Sequence, residues 1–344
     1  MRIVRMGGRW IEDFPASPWR WLALPAAILY ATAVGTRNAA FDLGLRRPRR
    51  LAVPVLSIGN LTAGGTGKTP VTRLVAELCR EHGAHPAVLS RGYRHAGGTD
   101  RANDEAQLMG DIPVHCDPER HAAGLRAISA GADCLLLDDG FQHRQLHRDL
   151  DIVLIDATRP WGWVLPAGYQ RESRSGLARA SLLWLTRSDL VPEDEAARIL
   201  TALGRVGAPV VRDHAAPVRL AEVVSGAPRL VESLRDGTVV LVSGLGNPSA
   251  FEIASARLGW RIAASLRYPD HHRYDRSDLA VIRGYAAEAG AQVVMTAKDA
   301  VKIAPLAAAH PGTEMLVLHG GHELPPADRQ TLAALVAASL RQRP

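Results

Sequence analysis

The chain has 344 residues, of which 47% are hydrophobic and 22% are charged. This composition supports large buried cores and excludes a globally disordered chain, and the length is enough for two domains or one large α/β unit. The net charge of +6 favours a polyanionic partner, which leaves nucleic acid, nucleotide and an anionic membrane surface open. Cys79, Cys116 and Cys134 have no metal-ligand spacing, and so few cysteines fit a reducing cytoplasmic compartment.

An apolar segment at residues 21–35 lies between Arg20 and Arg37 and is interrupted by Pro25. It is shorter than the about 20 residues that a membrane-spanning helix needs. Tryptophans precede it and a run of arginines at residues 46–50 follows it, a pattern typical of a membrane interface with anionic headgroups. We expect residues 1–45 to form an N-terminal membrane-associating segment that is helical from residue 15. A buried core helix is the alternative.

A glycine-rich turn follows an apolar run at residues 51–58 that predicts a buried strand, and a helical pattern at residues 71–79 comes next. A turn of this kind that ends in Gly-Lys-Thr is typical of a phosphate-binding loop. Glycine amides and the helix N-terminus attract phosphate, Lys68 reaches the β- and γ-phosphates, and the Thr69 hydroxyl binds Mg²⁺. Thr62 stands where the general motif has Gly. The predicted nucleotide-binding residues are Thr62, Ala63, Gly64, Gly65, Thr66, Gly67, Lys68 and Thr69.

Short apolar runs alternate with helical patterns from residue 51 onward, which predicts a mainly parallel sheet flanked by helices. The predicted strands are 53–58, 87–90, 134–138, 152–156 and 182–186, and the predicted helices are 70–81, 103–108 and 119–130. Residues 212–234 contain short alternating segments with prolines, which indicate antiparallel structure or a linker. A second α/β series then begins. We therefore predict an α/β protein with a P-loop NTPase-like domain over 46–212 and a smaller α/β domain over 213–344.

Two adjacent carboxylates, Asp138 and Asp139, end the predicted strand 134–138. In a P-loop fold the second acidic element lies at a strand end beside the phosphate loop and holds Mg²⁺. We predict both as metal ligands, with Asp156 at the end of the next strand as a competitor. A solvated strand-end aspartate is the alternative.

Other polar clusters follow predicted strands and are open to two interpretations, because a solvated loop has the same composition as a binding loop. Gln142 and His143 are candidates to bind a hydroxylated substrate, and Arg91 is a candidate to grip a phosphate. Asp104 is either a functional residue or the N-cap of a short helix. His271 is a base, a residue that orients one, or a surface histidine.

Taken together and in this order, these segments resemble the tetraacyldisaccharide 4′-kinase family, the lipid A 4′-kinases of Gram-negative bacteria. Nearly the whole chain takes part, and Thr62 is typical of the loop in this family. The matching stretches are 57–70, 90–94, 138–143, 148–156, 244–248, 270–274 and 296–302.

The resemblance implies an ATP- and Mg²⁺-dependent kinase that phosphorylates the 4′-hydroxyl of a tetraacyl glucosamine disaccharide 1-phosphate, giving lipid IVA. It implies Asp104 as the catalytic Asp, although Asn103 and Ala106 replace the Gly and Pro of the family motif. It makes His271 the partner of Asp104, with His272 as the register alternative.

The same resemblance places the enzyme at the cytoplasmic face of the bacterial inner membrane, with the lipid-linked disaccharide and the membrane surface as its partners. In the family's Leu-Pro-x-Gly-x-x-Arg-Glu-Pro stretch, Arg171 and Glu172 are kept and Ser173 replaces Pro. We therefore expect Arg91, Tyr93, Gln142, His143 and Arg171 to bind substrate, and Lys68 to take part in catalysis.

Two other functions fit parts of the sequence. A soluble P-loop kinase for a small molecule needs no Trp/Arg-rich N-terminus. A partitioning-type ATPase switch typically has Lys before the paired glycines, where this chain has Ala63. The basic charge is not organised into a nucleic-acid-binding module, and the sequence implies no obligate protein partner.

Overall fold

The structure is a computed structural model that describes residues 1–6, 17–92, 108–270 and 272–341. Its contacts divide the chain into two compact units, and each consists of two chain segments. The loop unit, which contains the glycine-rich turn, comprises Pro15–His214 and His322–Pro344. The second unit comprises Met1–Phe14 and Ala215–Gly321.

The loop unit is built on a seven-stranded sheet in the order β4-β3-β5-β2-β6-β7-β8, and its neighbouring strands are parallel. The strands are β2 (Val55–Asn60), β3 (Pro86–Ser90), β4 (Val114–Cys116), β5 (Cys134–Asp138), β6 (Leu150–Asp156), β7 (Leu182–Thr186) and β8 (Val210–Arg212). The central strands β2, β5 and β6 are buried along their whole length, as expected for a parallel sheet with helices on both faces.

In the part of the loop unit that the structure describes, four helices follow in chain order. They are α1 (Leu24–Asp42), α2 (Lys68–Glu81), α3 (Arg120–Ser129) and α4 (Glu193–Gly204). A further helix of this unit, Pro326–Arg341, lies at the end of the chain and packs on α2. Val71 and Val75 of α2 share one apolar core with Leu332 and Val336 of the terminal helix. The phosphate loop is therefore anchored to the core through α2, the helix that follows it.

The second unit has a seven-stranded sheet in the order β1-β12-β11-β13-β14-β9-β10. The strands are β1 (Arg2–Arg5), β9 (His214–Glu222), β10 (Pro228–Arg229), β11 (Thr238–Ser243), β12 (Arg261–Arg267), β13 (Gln292–Thr296) and β14 (Met315–Glu323). Among its described residues, the helices are α5 (Pro248–Arg257), α6 (Arg276–Ala289) and α7 (Ala297–Ala309), which makes Pro326–Arg341 α8. β9 and β10 are antiparallel, so the segment 212–234 contains an antiparallel pair of strands.

The division into units differs from the predicted domains at both ends of the chain. β1 pairs in parallel with β12 of the second unit, whereas α8 belongs to the loop unit. These associations join segments far apart in sequence, and the local patterns carry no information about them. In the interior, the division between His214 and Ala215 lies close to the predicted boundary after residue 212.

The N-terminal segment is helical from Pro18 to Asp42, with a 3₁₀ turn (Pro18–Ala23) followed by α1. Ala27 is the buried residue of α1. Large apolar side chains are exposed around it, which does not fit the alternative of a buried core helix. Within the described ranges, none of the helices combines the length and the apolar character needed to cross a bilayer.

Candidate active site

The glycine-rich turn lies between the central strand β2 and helix α2, as predicted. Gly64 and Gly67 have positive φ angles of 115° and 84°, and Gly67 is the N-cap residue of α2. An L side chain rarely adopts such angles, so these glycines are required by the backbone path of the loop. The resulting turn leads directly into the N-terminus of α2, a geometry that is suited to binding an anion.

Asn60, the last residue of β2, organises the loop from inside. Its Nδ2 atom donates to the Thr62 carbonyl (2.7 Å) and to the Thr66 hydroxyl (3.0 Å). Its Oδ1 atom accepts from Lys68 Nζ at 3.4 Å. Asn60 is fully buried and was not predicted as a site residue. Its only sequence signal is a polar side chain at the end of an apolar strand.

Lys68 also faces the predicted acidic element. Its Nζ atom lies 3.5 Å from Asp139 Oδ1, and Arg171 Nη1 lies 2.7 and 2.6 Å from the two carboxylate oxygens of Asp139. Burial alone would raise the pKa of Asp139, but the charges of Lys68 and Arg171 outweigh it and lower this pKa to about 2. Asp139 is therefore a fixed anion that holds both cations at the mouth of the loop.

Asp138 is buried at the end of β5 and pairs in register with Ile58 of β2. The half-buried Thr69 lies in the first turn of α2. The competitor Asp156 contacts the Arg187 guanidinium and accepts from the Thr158 hydroxyl at 2.6 Å. Asp138 and Thr69 therefore flank the loop from the neighbouring strand and from the helix, whereas Asp156 is held in an ion pair.

The segment 169–171 runs beside the phosphate loop. The Ala63 amide donates to the Tyr169 carbonyl and the Arg171 amide donates to the Leu61 carbonyl, both at 2.7 Å. Gln142 Nε2 donates to the Asn60 carbonyl at 2.9 Å. The structure therefore brings Gln142 and Arg171 to the same place as Lys68 and Asp139.

His143 follows Gln142 on the same loop and is half-buried. Burial lowers its pKa to about 4, and the positive charges of Arg120, Arg148 and Arg37 add to this effect. His143 is therefore neutral at physiological pH, and its ring nitrogens are available as hydrogen-bonding groups rather than as a cation.

A buried arginine, Arg120, lies within electrostatic range of the acidic pair. Burial and the charge of Arg91 lower the pKa of its guanidinium, whereas Asp138 and Asp139 act in the opposite direction. Arg91 itself is exposed at the end of β3. The unpredicted Arg120 thus places a further cation near the carboxylates, and the predicted residue Arg91 lies within electrostatic range of Arg120.

Glu172 joins α1 to this site and was also missed as a site residue. Its carboxylate is buried and accepts from Gln142 Nε2 and Asn38 Nδ2, each at 2.9 Å, and from Arg179 at 2.8 Å. The Tyr30 hydroxyl donates to the Arg171 carbonyl at 2.9 Å. The exposed N-terminal helix is therefore hydrogen-bonded directly to the residues that surround the loop.

Three predicted site residues, Tyr93, Asp104 and His271, lie outside the described residues. The register alternative His272 is described and belongs to the second unit. Its Nε2 atom lies 2.7 Å from Asp278 Oδ2, and its ring packs against Tyr268 with the centroids 4.7 Å apart. His272 is therefore held in place by partners of its own unit.

The site combines a glycine-rich loop between a parallel strand and a helix, a lysine at the end of the loop, and carboxylates at the end of the adjacent strand of the sheet. This combination defines the P-loop class of nucleotide-binding α/β proteins. A sequence profile described as tetraacyldisaccharide-1-P 4′-kinase matches residues 19–341. The chain belongs to this family.

Named relatives agree with this assignment. A tetraacyldisaccharide 4′-kinase of Anaeromyxobacter sp. (strain Fw109-5) is 40% identical over 82% of this chain and 82% of that protein. One from Syntrophus aciditrophicus is 39% identical over 84% of this chain and 86% of that protein. The crystal structure of LpxK from Aquifex aeolicus in complex with ATP matches with a TM-score of 0.70 and 25% identity, covering 93% of this chain and 99% of that one. The family resemblance and the α/β P-loop fold expected from the sequence are thus confirmed.

Proposed function

We propose that this protein transfers the γ-phosphate of ATP to the 4′-hydroxyl of a tetraacyl glucosamine disaccharide 1-phosphate. The product is the bis-phosphorylated lipid IVA of lipid A biosynthesis. The observation that carries the proposal is the Lys68–Asp139–Arg171 cluster at the mouth of the phosphate loop, in a chain of the tetraacyldisaccharide 4′-kinase family.

ATP is the proposed phosphate donor, since the Aquifex relative is a complex with ATP. The loop amides of residues 62–69 and the N-terminus of α2 hold the phosphates. Lys68, kept in place by Asn60 and Asp139, neutralises charge on the β- and γ-phosphates. Phosphoryl transfer depends on positioning and charge neutralisation, so a rigid, preorganised loop is the main catalytic contribution of this unit.

Mg²⁺ fits the oxygen donors next to the loop. The Thr69 hydroxyl and the Asp138 carboxylate are hard ligands, and Asp139 is the second predicted carboxylate, although it already holds two cations. The residues that the structure describes contain no group of three or more His, Cys, Asp or Glu suited to a metal. Mg²⁺ needs no such cage, because it binds through one or two carboxylates together with substrate phosphates and water. When bound, it supplies further charge neutralisation at the transferred phosphate.

For the acceptor, the family resemblance supports Asp104 as the group that receives the 4′-hydroxyl proton and His271 as the residue that orients it, with His272 as the alternative. Arg91, Tyr93, Gln142, His143 and Arg171 are the proposed substrate contacts. Arg171 has a second part in this scheme, because its bond to Asp139 fixes the anion that faces Lys68.

We place the enzyme on the cytoplasmic face of the bacterial inner membrane, docked through its N-terminal segment. The acyl chains of the substrate remain in the bilayer, so the enzyme must dock at the membrane surface to reach the headgroup. The support is a set of exposed apolar residues in and around this segment, namely Trp19, Trp21, Leu22, Ile28, Leu29, Leu43 and Leu45. Arg46, Arg47 and Arg50 supply charge for anionic headgroups.

The proposal is tested by measuring ATP consumption with the tetraacyl disaccharide 1-phosphate in mixed micelles, and with the deacylated, water-soluble disaccharide 1-phosphate. Lys68→Met is the inactive control. Turnover that depends on the lipid and on Lys68 supports the proposal. ATP consumption with the water-soluble disaccharide but not with the lipid would point to a small-molecule kinase. ATP consumption without any acceptor would point to an ATPase switch.

A further inference from the structure

A buried aspartate outside the predicted site, Asp213, connects several residues around the phosphate loop. It follows β8, at the point where the chain is about to leave the loop unit, and it is fully buried. Trp184 Nε1 donates to its Oδ2 atom at 2.8 Å, and the Arg187 amide donates to its Oδ1 atom at 2.9 Å. His322 Nδ1 is in close contact with Oδ2. A buried carboxylate is costly unless it is paired in this way.

Arg187 is the first of two Asp213 partners that reach the loop. Its φ angle is 57°, a left-handed conformation that is unfavourable for a residue with a Cβ atom, and the bond from its amide to Asp213 holds it there. In this conformation Arg187 Nη1 donates to the Gly65 carbonyl at 3.1 Å and pairs with Asp156. The neighbouring Thr186 hydroxyl lies 3.4 Å from the Thr66 carbonyl.

These contacts fix the direction of the loop amides. In a trans peptide the C=O of one residue and the N–H of the next point in opposite directions. A donor that holds the Gly65 carbonyl therefore turns the Thr66 amide the other way. The Thr186 hydroxyl has a single proton and also lies 3.3 Å from the Ile155 carbonyl, so its contact constrains the Gly67 amide less. An amide held in this direction is available to an anion that binds in the turn.

His322 is the second partner that reaches the loop. Its side chain is 7% exposed, and its ring lies edge-on to Trp184 with the centroids 6.3 Å apart. A Cβ atom placed on Gly67 would be 2.8 Å from His322 Nε2, so the ring is in direct contact with this glycine. Since Nδ1 faces Asp213, the ring is fixed with its Nε2 edge toward the loop.

We propose that Asp213 is a positioning residue for the phosphate loop, which it controls by holding Arg187 against Gly65 and His322 against Gly67. Neither the nucleotide motif nor the acidic pair includes Asp213, Arg187 or His322. Asp213 and His322 come from the two points where the chain leaves and re-enters the loop unit, so the pair also joins these segments at the loop. The inference rests on the proposed binding of ATP to this loop.

The test compares Asp213→Asn with wild type by calorimetric titration of Mg·ATP and by hydrogen exchange of the loop peptide. Glu252→Gln is the matched control, because Glu252 is also buried and paired, with Arg267, but belongs to the second unit. We expect the dissociation constant to rise at least tenfold in Asp213→Asn, with faster exchange of the loop amides in the absence of nucleotide. Glu252→Gln should stay within twofold of wild type even if its melting temperature falls.

A dissociation constant and loop exchange within twofold of wild type in Asp213→Asn would overturn the inference. If this variant does not fold, Arg187→Met and His322→Ala replace it. A tenfold loss in each supports the inference, and wild-type affinity in both overturns it. Wild-type protein that fails to bind ATP would instead contradict the proposed function, so the two failures are distinguishable.

Discussion

Replacing Leu22 and Leu29 together by serine tests the proposed docking segment most quantitatively. These side chains are 74% and 72% exposed, so they contribute little to the folded core. Burying a whole leucine side chain is worth about 2 kcal/mol. About three quarters of each side chain is exposed, so inserting both fully into lipid would contribute about 3 kcal/mol to the free energy of membrane binding. Insertion to half that depth would contribute about 1.5 kcal/mol. We expect the partition coefficient to fall by between about tenfold and about a hundredfold.

The assay is co-sedimentation with vesicles that contain anionic lipid, at several lipid concentrations. Val224→Ser combined with Leu230→Ser is the matched control, since these residues are 50% and 74% exposed in the second unit. The control should bind like wild type, and both double variants should keep the wild-type melting temperature and affinity for Mg·ATP. Equal vesicle binding by the Leu22/Leu29 variant and wild type would refute the docking role of this segment.

Three further predictions concern the loop and its surroundings. Arg171→Met should lower kcat at least tenfold in the lipid kinase assay, because Asp139 loses one of its two cations; wild-type kcat would contradict this. Gly67→Ala should lower the melting temperature and abolish ATP binding in calorimetry, because Gly67 has a φ angle of 84° and the added Cβ atom would collide with His322. Gly204→Ala is the control and should do neither, because its Cβ atom would meet nothing within 4 Å. The pKa of His143 is about 4 in the folded protein and about 6.5 in the unfolded chain, so the unfolded chain takes up the proton first as the pH falls. The free energy of unfolding should therefore decrease by on the order of 1 kcal/mol between pH 6.5 and pH 4. His143→Asn should lose less stability between pH 7 and pH 5 in thermal denaturation, and an equal loss would contradict the assignment.

The elements around the loop could be predicted from the sequence because their signals are local. Apolar runs mark β5 and β7 at their observed bounds, and the glycine pattern marks the turn before α2. The side-chain partners of the site could not be predicted in this way. Arg171 and Asp139 are 32 residues apart, and Arg187 and Asp156 are 31 apart, so only the folded sheet brings them together.

Buried polar residues were the second group that sequence patterns did not identify. Asn60, Glu172 and Asp213 each satisfy several donors or acceptors in the interior. Asn60 is a single polar residue at the end of an apolar strand, whereas Glu172 and Asp213 lie beside other polar residues. Periodicity treats such a residue as noise or as a strand end. Its partners reveal its role, because a buried polar group must be matched by hydrogen bonds.

Following the phosphate from ATP to the lipid tests whether this protein phosphorylates the 4′-hydroxyl of the tetraacyl disaccharide 1-phosphate. The protein is incubated with [γ-³²P]ATP, Mg²⁺ and the tetraacyl disaccharide 1-phosphate, and the lipid product is separated and examined by mass spectrometry and ³¹P NMR. We expect a labelled lipid with a second phosphomonoester at the 4′ position, and no labelled lipid with Lys68→Met. Unlabelled lipid, or a label on any other position, would contradict it.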